Sequence, residues 1–477
     1  MSESLKKKTT KGVLWSAIER FSVQGVQFLV MIVMARLLTP EDYGLIGMLA
    51  IFMAVSQTLI DSGFSQALIR KKERTEIDNS TVFYFNLVVG LLLYFILFVV
   101  APYVAKFYET PELTAIMRVI CLGIILNSLA VVQRAILTSN IDFKTQAKAS
   151  ATAAIISGII GVGMAYANYG VWALVGQQLT SLGVNTLMLW LYSQWRPSWC
   201  YSWKSFRDFF SFGSKLLASG LLETTYNNIY PIIVGKLFSA ASLGHYTRAL
   251  HFAQFPSANI TGILQRVTFP VLCSIQDDDE RLSNVYRRFL KLSAYIVFPL
   301  MIGLSAVAYP FVIFAIGEKW EFCALLLQIS CFGLMWYPIH SINLSLLTVK
   351  GRSDLFLRLE IIKKILGVIV ICATAPFGLV AMCYGKIISS LIALIINTHY
   401  TSKLIHIGFF RQMQDLFPIL LLSLTMFGGI WFINQFIQQA EYQLIADISY
   451  GVVHYIGLSL IFNFSELKEI FSLIKKK

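Results

Sequence analysis

A chain of 477 residues that is 56% apolar and 14% charged, with mean hydropathy +0.67, departs from the roughly 45–50% apolar and 25% charged balance of soluble domains. Apolar segments recur along the whole length with short polar gaps, which excludes a string of soluble domains. The net charge of +13 would suit nucleic acid if the basic residues formed one patch, but they are spread over loops along the chain.

The opening residues are basic. The apolar stretch behind them is long, carries Glu19 and Arg20, and lacks a small-residue cleavage site, so it reads as a first span rather than a removed signal peptide. Successive spans are expected at 12–36, 43–66, 79–102, 113–137, 146–166, 170–192, 208–235, 243–271, 288–316, 322–348, 355–375, 378–401, 412–437 and 443–464. Each is close to the ~20 residues that a crossing helix needs. Backbone polar groups must be paired inside lipid, and continuous apolar runs such as 82–100 and 290–308 select helices over the alternating strands of a barrel. The fold class is therefore all-α integral membrane, with about 14 transmembrane helices. The seven cysteines form no C-x-x-C pair and read as small hydrophobes.

With the N-terminus placed in the cytoplasm, one set of loops and tails holds 26 of the 39 basic residues, and the opposite set holds only Arg36, Lys106, Lys236 and Lys319. The remaining 9 lie inside spans. The positive-inside rule then puts both termini in the cytoplasm, and the net charge is a topology signal.

The chain also repeats itself with an offset of about 200 residues. Residues 35–44 lie over 235–244, Cys121-Leu122-Gly123-Ile124 over Cys331-Phe332-Gly333-Leu334, and Gly170-Val171-Trp172-Ala173-Leu174 over Gly378-Leu379-Val380-Ala381-Met382. Two six-helix lobes follow, 1–195 and 208–402, joined by a cytoplasmic amphipathic linker at 196–207, where the aromatic cluster Trp195, Trp199, Tyr201 and Trp203 reads as an interfacial belt and hinge. Spans within 412–464 are an addition, and 465–477 is a basic cytoplasmic tail. Six spans per repeat make the lobes parallel. In transporters of that build the substrate site lies between the halves, and rocking alternates access.

Polar residues inside spans mark candidate sites, because an ionised side chain at the bilayer centre costs about 2.5–3.5 kcal/mol on insertion scales. Arg20, Gln24 and Gln27 share one face of the first span, and Glu223, Asn227 and Tyr230 repeat that spacing in the seventh. The eighth carries Arg248, His251, Asn259 and Arg266; the tenth His340 and Asn343; the eleventh Glu360, Lys363 and Lys364; the twelfth Lys386. Cations in a wet cavity attract phosphate, Arg bidentately and Lys as a point charge. Substrate-cavity candidates are therefore Arg20, Gln24, Gln27, Arg248, His251, Arg266, Lys363, Lys364 and Lys386, and ion- or proton-coupling candidates are Glu223, Asn227 and Glu360.

Each has a purely structural reading beside the functional one. Arg20, Lys215 and Arg266 sit within about two turns of the cytoplasmic face and can snorkel. Glu360 with Lys363 or Lys364 is a self-neutralising helical pair, and Glu223 can pair with Arg248 or Lys215. His251 and His340 are hydrogen-bonded helix contacts on that reading. The acidic run 276–281 lacks the alternating oxygen ligands and glycine of a calcium loop and reads as a solvated turn.

Ala35-Arg36-Leu37-Leu38-Thr39-Pro40-Glu41-Asp42-Tyr43-Gly44, Gly63-Phe64 followed by Ala67-Leu68-Ile69-Arg70-Lys71-Lys72-Glu73, Arg266-Val267-Thr268-Phe269-Pro270, and Gly317-Glu318-Lys319-Trp320 together resemble the Wzx-type polysaccharide flippases of the multidrug/oligosaccharidyl-lipid/polysaccharide superfamily, in the colanic-acid-exporter branch. The likeness runs over about the first 400 residues. It implies a fourteen-helix, two-lobe transporter in the bacterial inner membrane. Such a protein moves undecaprenyl-diphosphate-linked repeat units to the periplasmic leaflet, with no cofactor and no catalytic residue. Coupling to an H+ or Na+ gradient, and pathway glycosyltransferases and a polymerase as neighbours, are further implications. The competing readings are a cation-coupled multidrug exporter of the same superfamily and a membrane oligosaccharide polymerase or ligase.

The loop charges predict that green fluorescent protein fused to either end of the chain fluoresces in cells, and that alkaline phosphatase fused at the same places is inactive. Active phosphatase at either end would invert the assigned topology.

Overall fold

The computed structural model describes residues 23–61, 63–71, 74–437 and 439–475. All regular secondary structure among them is helical, and Arg20 lies outside the described residues. The chain packs as two compact units that divide between Gly244 and His245.

The first unit holds α1 (Val23–Leu37), α2 (Pro40–Asp61), α3 (Phe64–Arg70), α4 (Glu76–Phe107), α5 (Leu113–Ile120), α6 (Leu122–Ser128), α7 (Val131–Ser139), α8 (Phe143–Tyr166), α9 (Val171–Tyr192), α10 (Trp203–Asn227) and α11 (Ile229–Leu237). The division falls in the first turns of α12 (Ala240–Ser274). The second unit continues with α13 (Asp279–Ala306), α14 (Ala308–Ile316), α15 (Glu321–Leu334), α16 (Tyr337–Val349), α17 (Ser353–Thr374), α18 (Leu379–Ile405), α19 (Phe409–Ile433), α20 (Ala440–Ile461) and α21 (Ser465–Lys475).

Nine helical segments among the described residues are long and apolar enough to cross a membrane. Helices also lie at other expected spans, but polar residues hold their hydropathy down: Gln177, Gln178 and Asn185 in α9, and Glu360, Lys363 and Lys364 in α17. Several expected single spans are broken in two or three, as at α5–α7 and α15–α16.

In the first unit the chain turns sharply between α2 and α3 at Gly63, whose φ of 72° is left-handed and whose missing Cβ lets the Gly213 backbone approach. A capping box starts α4: the Thr75 side chain accepts from Asp78 N and the Asp78 side chain accepts from Thr75 N. The buried Asp78 carboxylate also takes the Lys71 ammonium at 2.7 Å. Phe64, Leu68, Phe83, Val132, Trp195 and Phe209 close the core at this end.

The linker expected over 196–207 runs without helix only to Ser202, which caps α10, and its last five residues belong to that helix. It lies clamped along the start of α4: Trp195 Nε1 donates to Glu76 Oε2 at 2.8 Å, Ser198 N to Ser80 Oγ at 3.1 Å, and Ser202 N to Thr81 Oγ1 at 3.0 Å. Helix α10 then packs on α2 through Thr58 and Thr224, whose hydroxyls are 2.9 Å apart. At the other end Lys236 meets Glu109 at 2.8 Å and holds its carboxyl below the usual carboxylate range.

The repeated turn closes on itself. A Cβ on Gly44 would overlap the Ala240 carbonyl, and one on Gly244 would overlap the Pro40 carbonyl. The two equivalent glycines of the sequence repeat thus let the starts of α2 and α12 cross on main-chain atoms.

The second unit is organised by α13. Its Tyr286 hydroxyl donates to Asn343 Oδ1 at 2.9 Å, and Asn343 Nδ2 donates to Gln412 Oε1 at 3.1 Å. Gln412 Nε2 donates to Thr401 Oγ1 at 3.1 Å, so one fully buried network binds α13, α16, α18 and α19. Arg287 grips Asp415 with two bonds of 2.6 Å, and the Tyr295 hydroxyl donates to Ser459 Oγ at 2.7 Å. Arg288 reaches Glu469 of α21. The two added spans and the tail helix are fastened to this unit.

Gln412→Leu, which removes the bonds that Gln412 makes to Asn343 and Thr401, is expected to lower the midpoint of thermal unfolding in detergent by an amount equivalent to about 1–2 kcal/mol. Arg411→Ala, on the exposed side of the same turn, should leave the midpoint in place. A fluorescence-based thermal scan of both variants checks this.

Candidate functional site

Two cations of the second unit, one buried and one half-buried, define the candidate site. Arg248 on α12 is only 7% exposed. Lys386, one turn beyond Cys383 on α18, lines an internal pocket of about 110 Å³ with Ser330, Tyr337, His340 and Ser390. Its ammonium lies 5.9 Å from the centre of the Tyr246 ring, a loose cation–π approach. A pocket of this size holds a few waters or one small polar group.

His340 is fully partnered there. Ser390 Oγ donates to the Gly333 carbonyl at 3.2 Å, so it accepts from His340 Nε2–H at 3.0 Å, while His340 Nδ1 accepts from Asn397 Nδ2 at 3.2 Å. That pattern needs the neutral imidazole. The residue ties α16 to α18, in keeping with a helix contact rather than a proton carrier.

The other candidates fall elsewhere. Glu360 and Lys363 bond each other along α17, the local pair that their spacing allows. Lys364 is half-buried beside them. His251 and Arg266 lie exposed on α12, and Asn259 Nδ2 is spent on the Phe255 carbonyl at 2.8 Å. In the first unit Gln24 is half-buried and Gln27 exposed on α1, and Glu223 and Asn227 are exposed one turn apart on α10. The acidic turn before α13 is structural: Asp278 caps the helix by accepting from Arg281 N at 3.0 Å, and Lys350 meets Asp279 at 2.6 Å. Among the described residues no group of three His, Cys, Asp or Glu is placed to hold a metal ion.

Three polar residues emerge that reading by span spacing passes over. Gln412 and Asp415 are buried near the start of α19, and Asp447 is fully buried in α20, where it accepts from Asn434 Nδ2 at 3.1 Å. A carboxylate in an expected span was a visible signal for both Asp415 and Asp447, whereas the partners of Gln412 and Asp415 come from distant parts of the chain.

The family described as "Polysaccharide biosynthesis protein" matches residues 33–325. The chain is 25% identical over 462 residues to teichuronic acid biosynthesis protein TuaB of Bacillus subtilis, covering 95% of this chain and 96% of that protein. It is 27% identical over 400 residues to lipopolysaccharide biosynthesis protein WzxC of Escherichia coli, covering 83% of this chain and 80% of that one. In fold it is similar to the solved structure of the lipid II flippase MurJ in an inward closed conformation, with a TM-score of 0.77 at 17% identity, over 94% of this chain and 98% of that chain. The fold, an all-helical membrane bundle, is thereby shared nearly end to end.

Removing one member of the Glu360–Lys363 pair leaves a half-buried charge without its partner. Glu360→Gln should destabilise by roughly 1–3 kcal/mol, and Glu360→Gln combined with Lys363→Gln should recover most of that loss. Thermal unfolding of the two singles and the double in detergent measures the coupling.

Proposed function

The chain belongs to the polysaccharide biosynthesis protein family, and from that premise we propose that it is a transporter that flips lipid-linked oligosaccharide. The repeat units are carried on undecaprenyl diphosphate, from the cytoplasmic to the periplasmic leaflet of a bacterial inner membrane, by alternating access. The observation that carries this reading is the pair of cations inside the second unit, Arg248 buried on α12 and Lys386 half-buried in the wall of an internal pocket on α18. Cations kept inside a membrane bundle despite their insertion cost are suited to an anionic headgroup, while a polyprenyl tail stays in the lipid.

The names of the relatives support the glycan class, since two of them are named for teichuronic acid and lipopolysaccharide biosynthesis. The name of the structural neighbour supports flipping of a lipid-linked saccharide. Exposed Glu223 and Asn227 on α10 are the residues we assign to coupling with an H+ or Na+ gradient. Both termini face the cytoplasm in this scheme, where the glycosyltransferases that build the repeat unit work, and a polymerase takes over on the far side.

Deleting the gene in its host is expected to make undecaprenyl-diphosphate-linked repeat units accumulate, seen by mass spectrometry of the lipid extract, while surface polysaccharide falls. Wild type should restore export; Arg248→Ala and Lys386→Ala, present in the membrane at normal level, should restore it at least roughly tenfold less well. Loss of drug tolerance with an unchanged surface glycan would replace the flippase by a multidrug exporter.

A further inference from the structure

The first unit holds a second polar pocket, of about 600 Å³, far larger than the one beside Lys386. Its walls are the start of α4, the turn between α7 and α8, and the clamped segment after α9, all on the side that carries the basic loops. The side chains that decide its chemistry are Arg74, Glu76, Asn79, Asn140, Asp142 and Gln194.

Two of them are unsatisfied. Asn79 is 9% exposed, and its Oδ1 meets no donor among the described residues; Arg74 Nη1 is buried and meets no acceptor among them. An unpaired buried polar atom costs about 1–3 kcal/mol, so these two groups, each on a residue that lines the cavity, gain by turning toward a ligand there that both gives and takes hydrogen bonds. The carboxylates are set in advance. Trp195 Nε1 holds Glu76 Oε2 at 2.8 Å, and Asp142 is held by Thr145 N at 3.2 Å and Thr145 Oγ1 at 2.7 Å.

This donor set selects among ligands. A phosphate would be brought close to Glu76 and Asp142 and repelled by both. Sugar hydroxyls donate and accept at once, and planar carboxylate, amide and guanidinium groups take them two bonds at a time. The volume falls in the ~300–1,000 Å³ range of small-molecule sites.

We propose that this pocket is a saccharide-binding site, separate from the two cations of the second unit, that takes a sugar unit of the glycan headgroup on the loop side before the headgroup enters the membrane. The choice of glycan rests on the flippase reading; the pocket's chemistry does not. In this arrangement the first unit senses the sugar and the second unit the diphosphate, so selection among glycans is made apart from the groups that hold the charge common to all of them.

The test uses the purified full-length protein and a labelled oligosaccharide released by mild acid from the host's own lipid-linked pool. Equilibrium dialysis should show saturable binding that inorganic pyrophosphate does not displace. Asn140→Ala and Arg74→Met should each weaken it roughly tenfold; Asn140 is exposed in a surface turn, so its variant folds. Absence of binding, displacement by pyrophosphate, or binding indifferent to both substitutions overturns the proposal. Failure of the gene deletion to change the lipid-linked pool would remove the flippase reading instead, and the dialysis result would still decide the pocket.

Discussion

Hydrocarbon offers no hydrogen bonds, so a polar side chain carried into a membrane bundle has to find its partner inside the protein. In the second unit α13 answers that requirement for several neighbours at once. Within three turns it presents Tyr286, Arg287, Arg288, Lys291 and Tyr295, and these reach α16, α19, α20 and α21 through Asn343, Asp415, Ser459 and Glu469. The packing of the added spans follows from this helix. Without such anchors two apolar hairpin helices have little reason to choose one seat, since lipid tails solvate leucine as well as a neighbouring helix does.

The same constraint explains what could be read from the chain. Span positions were legible because hydropathy is a local average, and nine of the expected ranges fall on helical segments long and apolar enough to cross a membrane among the described residues. The breaks inside spans were not: α5, α6 and α7 follow one another across Cys121 and Leu129-Ala130 with no proline to announce a stop. The Glu360–Lys363 pair was legible, being three residues apart. The Tyr286–Asn343–Gln412 network and the pocket shared by His340 and Lys386 were not, because each is assembled from helices far apart in sequence. The pocket around Asn79 was missed for a different reason. Its residues sit at helix ends and in turns, where polar side chains are expected and attract no notice.

Sequence repetition and spatial compactness also divide the chain differently. The repeat starts its second copy near residue 208, yet α10 and α11 belong in space to the first compact unit, which extends to Gly244. A repeat records which positions share a pattern of hydropathy and turns. Packing is decided by surface detail: the Thr58–Thr224 hydroxyl contact, and glycines such as Gly63 and Gly220 that let α2, α3 and α10 approach closely. The clamped segment before α10 adds to this, holding it to α4 by indole and hydroxyl bonds rather than leaving it slack.

The crossing at Gly44 and Gly244, like the approach of Gly213 to Gly63, is made by main chain. Most other helix contacts described are made by side chains, which soften an interface by exchanging rotamers and can yield a few tenths of an ångström at little cost. Carbonyl oxygens seated over bare α-carbons have no rotamers to exchange. Such a junction does not soften: any side chain added at either glycine would have to push main-chain atoms aside, so the approach of the two helix starts is held by the backbone whatever the side chains around it become.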